Sequence, residues 1–466
     1  MNHQVTLPAT PTRWPGKLAH WLDHYFRISA EGSSLRRETL AGITTFLAAA
    51  YVIVVNPDIN SAAGIPFSAG VTATVLVSFL GTLAMALYAR NPILIAPGMG
   101  INILFAYTMV VGAGIPLQVA LGCVLWSSLA FTLLAFFNVR QKVIEGIPAN
   151  LRNAIACGMG LFIALIGLVN ARFIVSHPFT VVHAAPFDPV ILTFLAGLVV
   201  TITLVVRRVP GALILGIITT TLMAIPIGRL WGDASAFAPE GSTSATLVNW
   251  QGLFAAPDFS FIGQIDLLGA LHIDYLPYIF VLVFTNFFEA LSAFLGISEA
   301  GNLKDAKGEP RRIKQSMHVD ALSSLASAPL GTSPAIVYIE SIAGISQGGR
   351  TGMVALVAAL LFLPFLFLSP LLALVPAIAT APVLVMIGVF MMDTITKIDW
   401  QTYEEAIPAF MVIVLIPLTY SMTLGIALGF ILYVLLKLLT GKAATVKPIM
   451  WAVAALSVFL VIRVQS

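Results

Sequence analysis

The chain has 466 residues, 59% of them hydrophobic and only 10% charged, with a mean hydropathy of +0.96. That balance excludes a string of soluble domains and describes a polytopic membrane protein. The formal net charge of +3 comes from basic residues scattered through short loops, a pattern that reads as membrane topology and gives no reason to expect a nucleic-acid partner.

Residues 1 to 37 are polar and aromatic, with Trp14, His20, Trp21, His24, Tyr25 and Phe26, and lack the apolar core and cleavage site of a signal peptide. The stretch WPGKLAHWLDHYFRI predicts a helix lying in the membrane interface. Fourteen apolar segments of spanning length follow, at 38 to 56, 68 to 89, 92 to 112, 117 to 137, 150 to 170, 188 to 206, 210 to 229, 275 to 297, 313 to 329, 331 to 348, 351 to 368, 370 to 392, 404 to 419 and 421 to 439. A fifteenth apolar stretch, at 449 to 462 within a C-terminal segment 447 to 466, is short and has no assigned placement. With a cytoplasmic N-terminus, alternation puts 21 of the 24 lysines and arginines on the inner side, including Arg140, Lys142, Lys304 and Lys307, which supports both orientation and segment count. The longest loop, 230 to 274, has no lysine or arginine but carries Asp233, Glu240, Asp258, Asp266 and Asp274, as an external loop can.

Two segments are unsuited to an ordinary spanning helix. NPILIAPGMGINILFAY (91 to 107) and APLGTSPAIVYIESIAG (328 to 344) begin with Pro, Gly, small or β-branched residues and become helix-compatible only in their second halves. They are the third and tenth segments, seven apart. Fourteen spans with matching breaks predict an all-α fold of two seven-segment inverted repeats, each broken segment a short strand plus a half-helix. Paired interrupted segments of this kind mark the binding site of a transporter. The alternative is that proline and glycine merely kink two helices.

Nearly all of the 21 acidic residues lie in loops or at segment ends; Glu289 in segment eight and Glu340 in segment ten are the exceptions. A charge at the bilayer centre costs at least about 2.5 kcal/mol, so an intramembrane carboxylate marks a candidate site. The structural alternative for each is a glutamate that braces neighbouring helices. Glu340 falls where strand would meet half-helix, close to free backbone amides. Asn102 occupies a comparable junction in segment three, as a ligand group or a helix cap. Asn286, three residues before Glu289, shares its helical face. Thr332 and Ser333 sit in the unwound part of segment ten and, with Asn286, are substrate-binding candidates; the alternative is that their hydroxyls only satisfy freed backbone groups. Asp320 and Asp393 read as structural or interfacial.

Other motifs are negative. GISQG (344 to 348) matches G-x-S-x-G, but no strand precedes it and no histidine lies deep in a span to activate Ser346. Neither H-E-x-x-H nor G-x-x-x-x-G-K-[ST] occurs, so neither zinc peptidase nor ATP-driven pump is signalled. Cys123 and Cys157 read as small packing residues. No cofactor and no metal are expected, no catalytic residue is assigned, and transport would draw on a gradient.

Several stretches carry a family resemblance: TLAGITTFLAAAYVIVVNPDI (39 to 59), APGMGINILFAY (96 to 107), FTNFFEALSAFLGISEAGNL (284 to 303) and the long pattern G-T-S-x-x-x-x-Y-I-E-S-x-A-G-x-x-x-G-G-R-T-G from Gly331 to Gly352. On these residues the sequence resembles the AzgA-like adenine/guanine/hypoxanthine permeases of the nucleobase-ascorbate transporter superfamily. The resemblance implies a core domain (38–137 and 275–368), a gate domain (150–229 and 370–440), and elevator-like sliding of one on the other. It also implies proton-coupled uptake of a purine base at a bacterial inner membrane, with Glu289, Glu340 and Asn102 at substrate-binding positions. The family generally has aspartate where Glu289 stands, and Leu-Asn-Ala where Ile101, Asn102 and Ile103 stand. Partners expected are thus a nucleobase, a proton and the lipid bilayer, and a homodimer is compatible with the reading. Glu340 is assigned to hold the base; Glu289 is assigned to couple the proton while helping to bind. The rival substrates on the same fold are xanthine, uracil or a small anion. A membrane-embedded hydrolase or a channel is a more distant reading.

Overall fold

The computed structural model describes residues 17–136, 148–177, 180–230, 252–301, 303 and 311–465. Arg140, Lys142, Lys304 and Lys307 of the topology count lie outside the described residues, as do 1–16 of the N-terminal segment and 231–251 of the long loop. Helix dominates, as it must where backbone enters hydrocarbon and each N–H and C=O needs an internal partner. In chain order the first half is α1 (Lys17–Phe26), α2 (Leu35–Ala49), α3 (Val52–Ala62), α4 (Phe67–Ala84), β1 (Ile95–Pro97), α5 (Met99–Ile103), α6 (Leu117–Phe136), α7 (Ala149–Asn170), a hairpin of β2 (Ile174–His177) and β3 (Val181–Ala184), α8 (Pro189–Val206) and α9 (Ala212–Leu230). The second half is α10 (Leu276–Gly301), α11 (Ile313–Ser327), β4 (Ala335–Val337), α12 (Ser341–Ser346), α13 (Gly352–Phe362), α14 (Ser369–Leu372), α15 (Ala377–Met391), α16 (Tyr403–Leu418), α17 (Met422–Leu439) and α18 (Pro448–Gln465).

Among the described residues seven helical stretches are long and apolar enough to cross a bilayer by length and composition: Leu35–Ala62, Phe67–Ala89, Leu117–Phe136, Ala149–Asn170, Pro189–Val206, Ala377–Lys397 and Met422–Leu439. Met99–Gly112, Ala212–Ile227, Leu276–Phe287, Gly352–Phe367 and Pro448–Phe459 are apolar but shorter. The chain is a multi-pass, mainly helical membrane protein.

Both broken segments are strand followed by short helix. β1 and β4 pair antiparallel in the interior, with Ala96 opposite Ile336, and Gly98 N to Pro334 O at one end and Tyr338 N to Leu94 O at the other (2.9 Å each) continue the pairing. A two-stranded ribbon has two edges, and hydroxyls close them. Thr82 of α4 accepts from Ile95 N and donates to Ile95 O, both at 3.0 Å. On the other strand, Ser324 donates to Ala335 O and Ser327 accepts from Ala335 N at 3.0 Å. Ser341 accepts from Leu94 N at 3.0 Å. The alternative role considered for Thr332 and Ser333, satisfying freed backbone groups, is filled at the strands by hydroxyls of α4, α11 and α12. The cause is that a strand edge exposes its N–H and C=O sideways, toward α4 and α11, while Thr332 Oγ1 is taken by the amides of Asn56 and Asn60.

The helices pack in two groups. One gathers α2, α4, α6, α10, α11, α12 and α13 around the ribbon; the other gathers α7, α8, α9, α15, α16 and α17, with α18 laid on α17. Close backbone approach holds both groups together, as expected where apolar side chains gain nothing by leaving lipid. In the second group a Cβ on Gly160 would come 2.8 Å from Gly388 O, and one on Gly388 would come 2.5 Å from Gly160 O, so α7 and α15 cross at this glycine pair. In the first, Glu38 of α2 accepts from Arg350 N (2.9 Å), Thr351 N (3.1 Å) and Thr351 Oγ1 (2.7 Å), which satisfies the free amides at the start of α13. In the loop before α10, hydrogen bonds from Ser260 and from Ser68 hold the Asp258 carboxyl below the usual carboxylate range and tie the loop to α4.

Candidate functional site

Glu289 and Glu340 stand against the two half-helices. Glu289 projects from α10, and its Oε1 occupies the space above Gly100 of α5 that a Cβ would fill; Met159 Sδ of α7 would lie 3.3 Å from the same Cβ. Glycine at 100 is therefore what admits the carboxylate. The other oxygen, Oε2, is buried without a hydrogen-bond partner. Glu340 is the N-cap residue of α12, with φ −56° and ψ −17°, yet its side chain does not cap that helix. Its Oε1 instead accepts a 2.6 Å hydrogen bond from the hydroxyl of Tyr51, a buried residue in the short break between α2 and α3.

The remaining residues assigned from sequence form brackets around these two. Asn102 lies within α5 and is fully buried; its Nδ2 donates to Asn56 O at 3.3 Å, and its Oδ1 has no partner. Asn286 Nδ2 donates to Ser324 Oγ at 3.2 Å, tying α10 to the serine that serves β4, and its Oδ1 is likewise unpartnered. Thr332 Oγ1 accepts from Asn56 Nδ2 at 3.1 Å and Asn60 Nδ2 at 3.3 Å. Ser333 Oγ is buried without a partner. Asn56 thus joins both broken segments through α3, taking Asn102 on its carbonyl and giving its amide to Thr332 and, at 2.8 Å, Thr74.

Three participants escape the sequence reading. Besides Asn56 and Tyr51 there is Tyr338, whose hydroxyl donates to Pro97 O at 2.5 Å and which lies within electrostatic range of both Glu340 and Glu289. Its ring stands 6.5 Å from that of Tyr51, tilted by 37°. Asp320, read from sequence as structural or interfacial, is fully buried beside the Val337 backbone of β4 and within range of Glu289. Polar side chains inside apolar segments are the signal for Asn56, Tyr51 and Tyr338; Asp320, at the middle of the segment 313 to 329, is a further carboxylate within a span, and its burial excludes an interfacial position.

Chemically the site offers acceptors on two carboxylates, donors and acceptors on two amides, and aromatic faces. Those groups suit a small planar ligand with N–H donors beside ring acceptors. Among the described residues no group of three or more His, Cys, Asp and Glu side chains is arranged to hold a metal ion. A groove of about 310 Å³ between α4 and α11, lined by Val77, Leu80, Val319, Leu322 and Leu330, is apolar and presents no carboxylate.

The sequence profile of the Permease family (Xan_ur_permease) matches residues 36–428. The adenine permease AdeP of Escherichia coli (strain K12) is 36% identical over 469 residues, which is 100% of each chain. The guanine/hypoxanthine permease PbuO of Bacillus subtilis (strain 168) is 35% identical, covering 92% of this chain and 98% of its own. Among solved structures, the transmembrane domain of a cyanobacterium bicarbonate transporter, BicA, superposes with a TM-score of 0.61 at 16% identity, covering 85% of this chain and 97% of that one, a likeness of fold alone. With the profile spanning most of its length and such relatives aligned end to end, the chain belongs to the Permease family, and is a membrane transporter of the adenine/guanine/hypoxanthine permease kind rather than an enzyme.

Proposed function

We propose that this protein imports a purine nucleobase, adenine, hypoxanthine or guanine, by proton symport across a bacterial inner membrane, with its N-terminus in the cytoplasm. The observation that carries the proposal is the placement of Glu289, projecting from α10 onto the half-helix α5, and of Glu340, at the start of the half-helix α12, beside two broken segments whose strands pair with each other. Antiparallel strands of equal length are related by a local two-fold axis, as two inverted repeats of seven segments require. The partition of helices into two packing groups supports a core domain bearing both glutamates and a gate domain against which it slides. The names of the relatives support the substrate class.

Glu340 holds the base: a carboxylate oxygen accepts an N–H in the plane of a purine, and Tyr338 lies beside it. Glu289 helps to bind and couples the proton, because an ionised carboxylate in so dry a place is costly unless a ligand or a proton answers it. The test is uptake of labelled adenine, hypoxanthine, guanine, xanthine and uracil, with and without an uncoupler, in cells expressing wild type, Glu289→Gln or Glu340→Gln. Wild type should accumulate at least one purine, and lose accumulation with the uncoupler. Glu340→Gln should take up none, whereas Glu289→Gln should exchange or bind a base without concentrating it. Full active accumulation by Glu289→Gln would overturn the proton assignment, and absence of purine uptake by wild type would overturn the substrate class.

A further inference from the structure

β1 and β4, at 95–97 and 335–337, lie 240 positions apart. The same offset carries Gly100 onto Glu340, and carries Ala49, two residues before Tyr51, onto Glu289. The site is therefore built twice with different chemistry. On one half-helix a glycine receives a carboxylate from the long helix α10; on the other, the half-helix itself supplies the carboxylate, and the break in the long helix α2–α3 supplies a tyrosine.

From this exchange we infer that Tyr51 is the positioning residue of the substrate site, fixing Glu340 so that a single carboxylate oxygen, Oε2, faces the ligand. The inference rests on the purine-transport proposal for the ligand, but its geometry does not. Tyr51 is 2% exposed, and its hydroxyl is 2.6 Å from Glu340 Oε1. A phenol donating at that distance to an oxygen within a dry interior makes a strong, directional bond, because one partner carries charge whenever Glu340 is ionised. Glu340 otherwise has free χ angles, and the Tyr51 bond removes that freedom before the ligand arrives, which is preorganisation. With Oε1 occupied, a ligand meets one carboxylate oxygen and the acceptor lone pairs of the Tyr51 hydroxyl beside it. Two adjacent N–H groups on one edge of a base would satisfy both. Glu289, whose Oε1 sits over Gly100 and whose Oε2 has no partner, shows no equivalent anchor among the described residues. The tethered carboxylate and the untethered one are thereby suited to different tasks, one holding the base and the other free to take up and release a proton.

Tyr51→Phe keeps the buried ring and deletes only the donor. The variant should accumulate in membranes at the wild-type level, with KM for the transported base raised about tenfold and the maximal rate within about twofold of wild type. Tyr51→Phe should also shift the carboxyl-stretch infrared band that disappears from purified Glu340→Gln. That band needs no substrate, so it tests the contact even if wild type carries none of the five bases, in which case only the substrate class fails. An unchanged KM, an unmoved band, or a Tyr51→Phe protein that fails to fold would each overturn the inference, the last by making the hydroxyl a brace.

Discussion

Gly100→Ala is the sharpest test of the site's geometry, because it adds one methyl group where the structure has placed a carboxylate oxygen. The new Cβ would overlap Glu289 Oε1 and stand 3.3 Å from both Glu289 Cδ and Met159 Sδ. Nothing in that contact set is backbone. The far end of a flexible side chain yields by rotating, so the fold should be retained, and the exchange of Gly for Ala inside a helix adds about 0.5–1 kcal/mol of stability. What is lost is the position of the carboxylate. If Glu289 makes one charge-assisted hydrogen bond to the ligand, losing it removes about 1.5–3 kcal/mol, which is about 10- to 150-fold in apparent affinity. Purified protein should melt at or above the wild-type temperature while KM for uptake rises by that factor. Glu289→Asp, one methylene shorter, should make room and recover part of the loss when combined with Gly100→Ala. Wild-type KM in Gly100→Ala would refute the placement of Glu289 over α5, and a double variant no better than the single one would refute the steric cause.

Two further outcomes follow from packing. Asp320→Asn keeps the shape of a fully buried side chain whose two oxygens have no hydrogen-bond partner and should keep at least half of wild-type uptake, whereas Asp320→Ala opens a cavity in the packing and should lower expression; loss of uptake in a well-expressed Asp320→Asn protein would move this residue into the transport chemistry. Gly388→Ala would push its Cβ to 2.5 Å from Gly160 O and 2.8 Å from Ala164 Cβ, forcing α7 and α15 apart at about 1–3 kcal/mol and lowering Tm in detergent; an unchanged Tm would show that the crossing is looser than drawn.

Much of the architecture was legible because lipid imposes a simple rule on sequence. Apolar runs of about twenty residues gave α4, α6, α7, α8 and α17 within a few residues, the run at 370 to 392 divides into α14 and α15, and the Pro/Gly breaks gave both strand-plus-helix segments. Less legible was how long each helix remains regular. Segment one breaks at Ala50 and Tyr51, and segment eleven turns into a 3-10 helix at Leu363–Phe367, without any rule in local composition that marks the first. The final apolar stretch, unplaced from sequence, is the helix α18, lying along α17 with Met450, Val453, Ala454 and Ser457 buried at helical spacing.

The candidate site divides along the same line. Glu289 and Glu340 stand out in sequence because a carboxylate among phenylalanines and alanines violates the expected partition of charge, and one sequence suffices to see the violation. Their partners do not stand out. Tyr51 is one hydroxyl in a segment rich in apolar residues, and Gly100 is one of 36 glycines; each gains meaning only from a residue more than 180 positions away that folding sets against it. The hydroxyls of Thr82, Ser324 and Ser327 are less visible still, since threonine and serine within a membrane helix ordinarily bond back to their own carbonyls four residues earlier, as Thr74 does to Gly70. Charge out of place can thus be found by reading along the chain, whereas the glycine that makes room for it and the tyrosine that holds it are defined across the two-fold axis of the ribbon, which no single segment encodes.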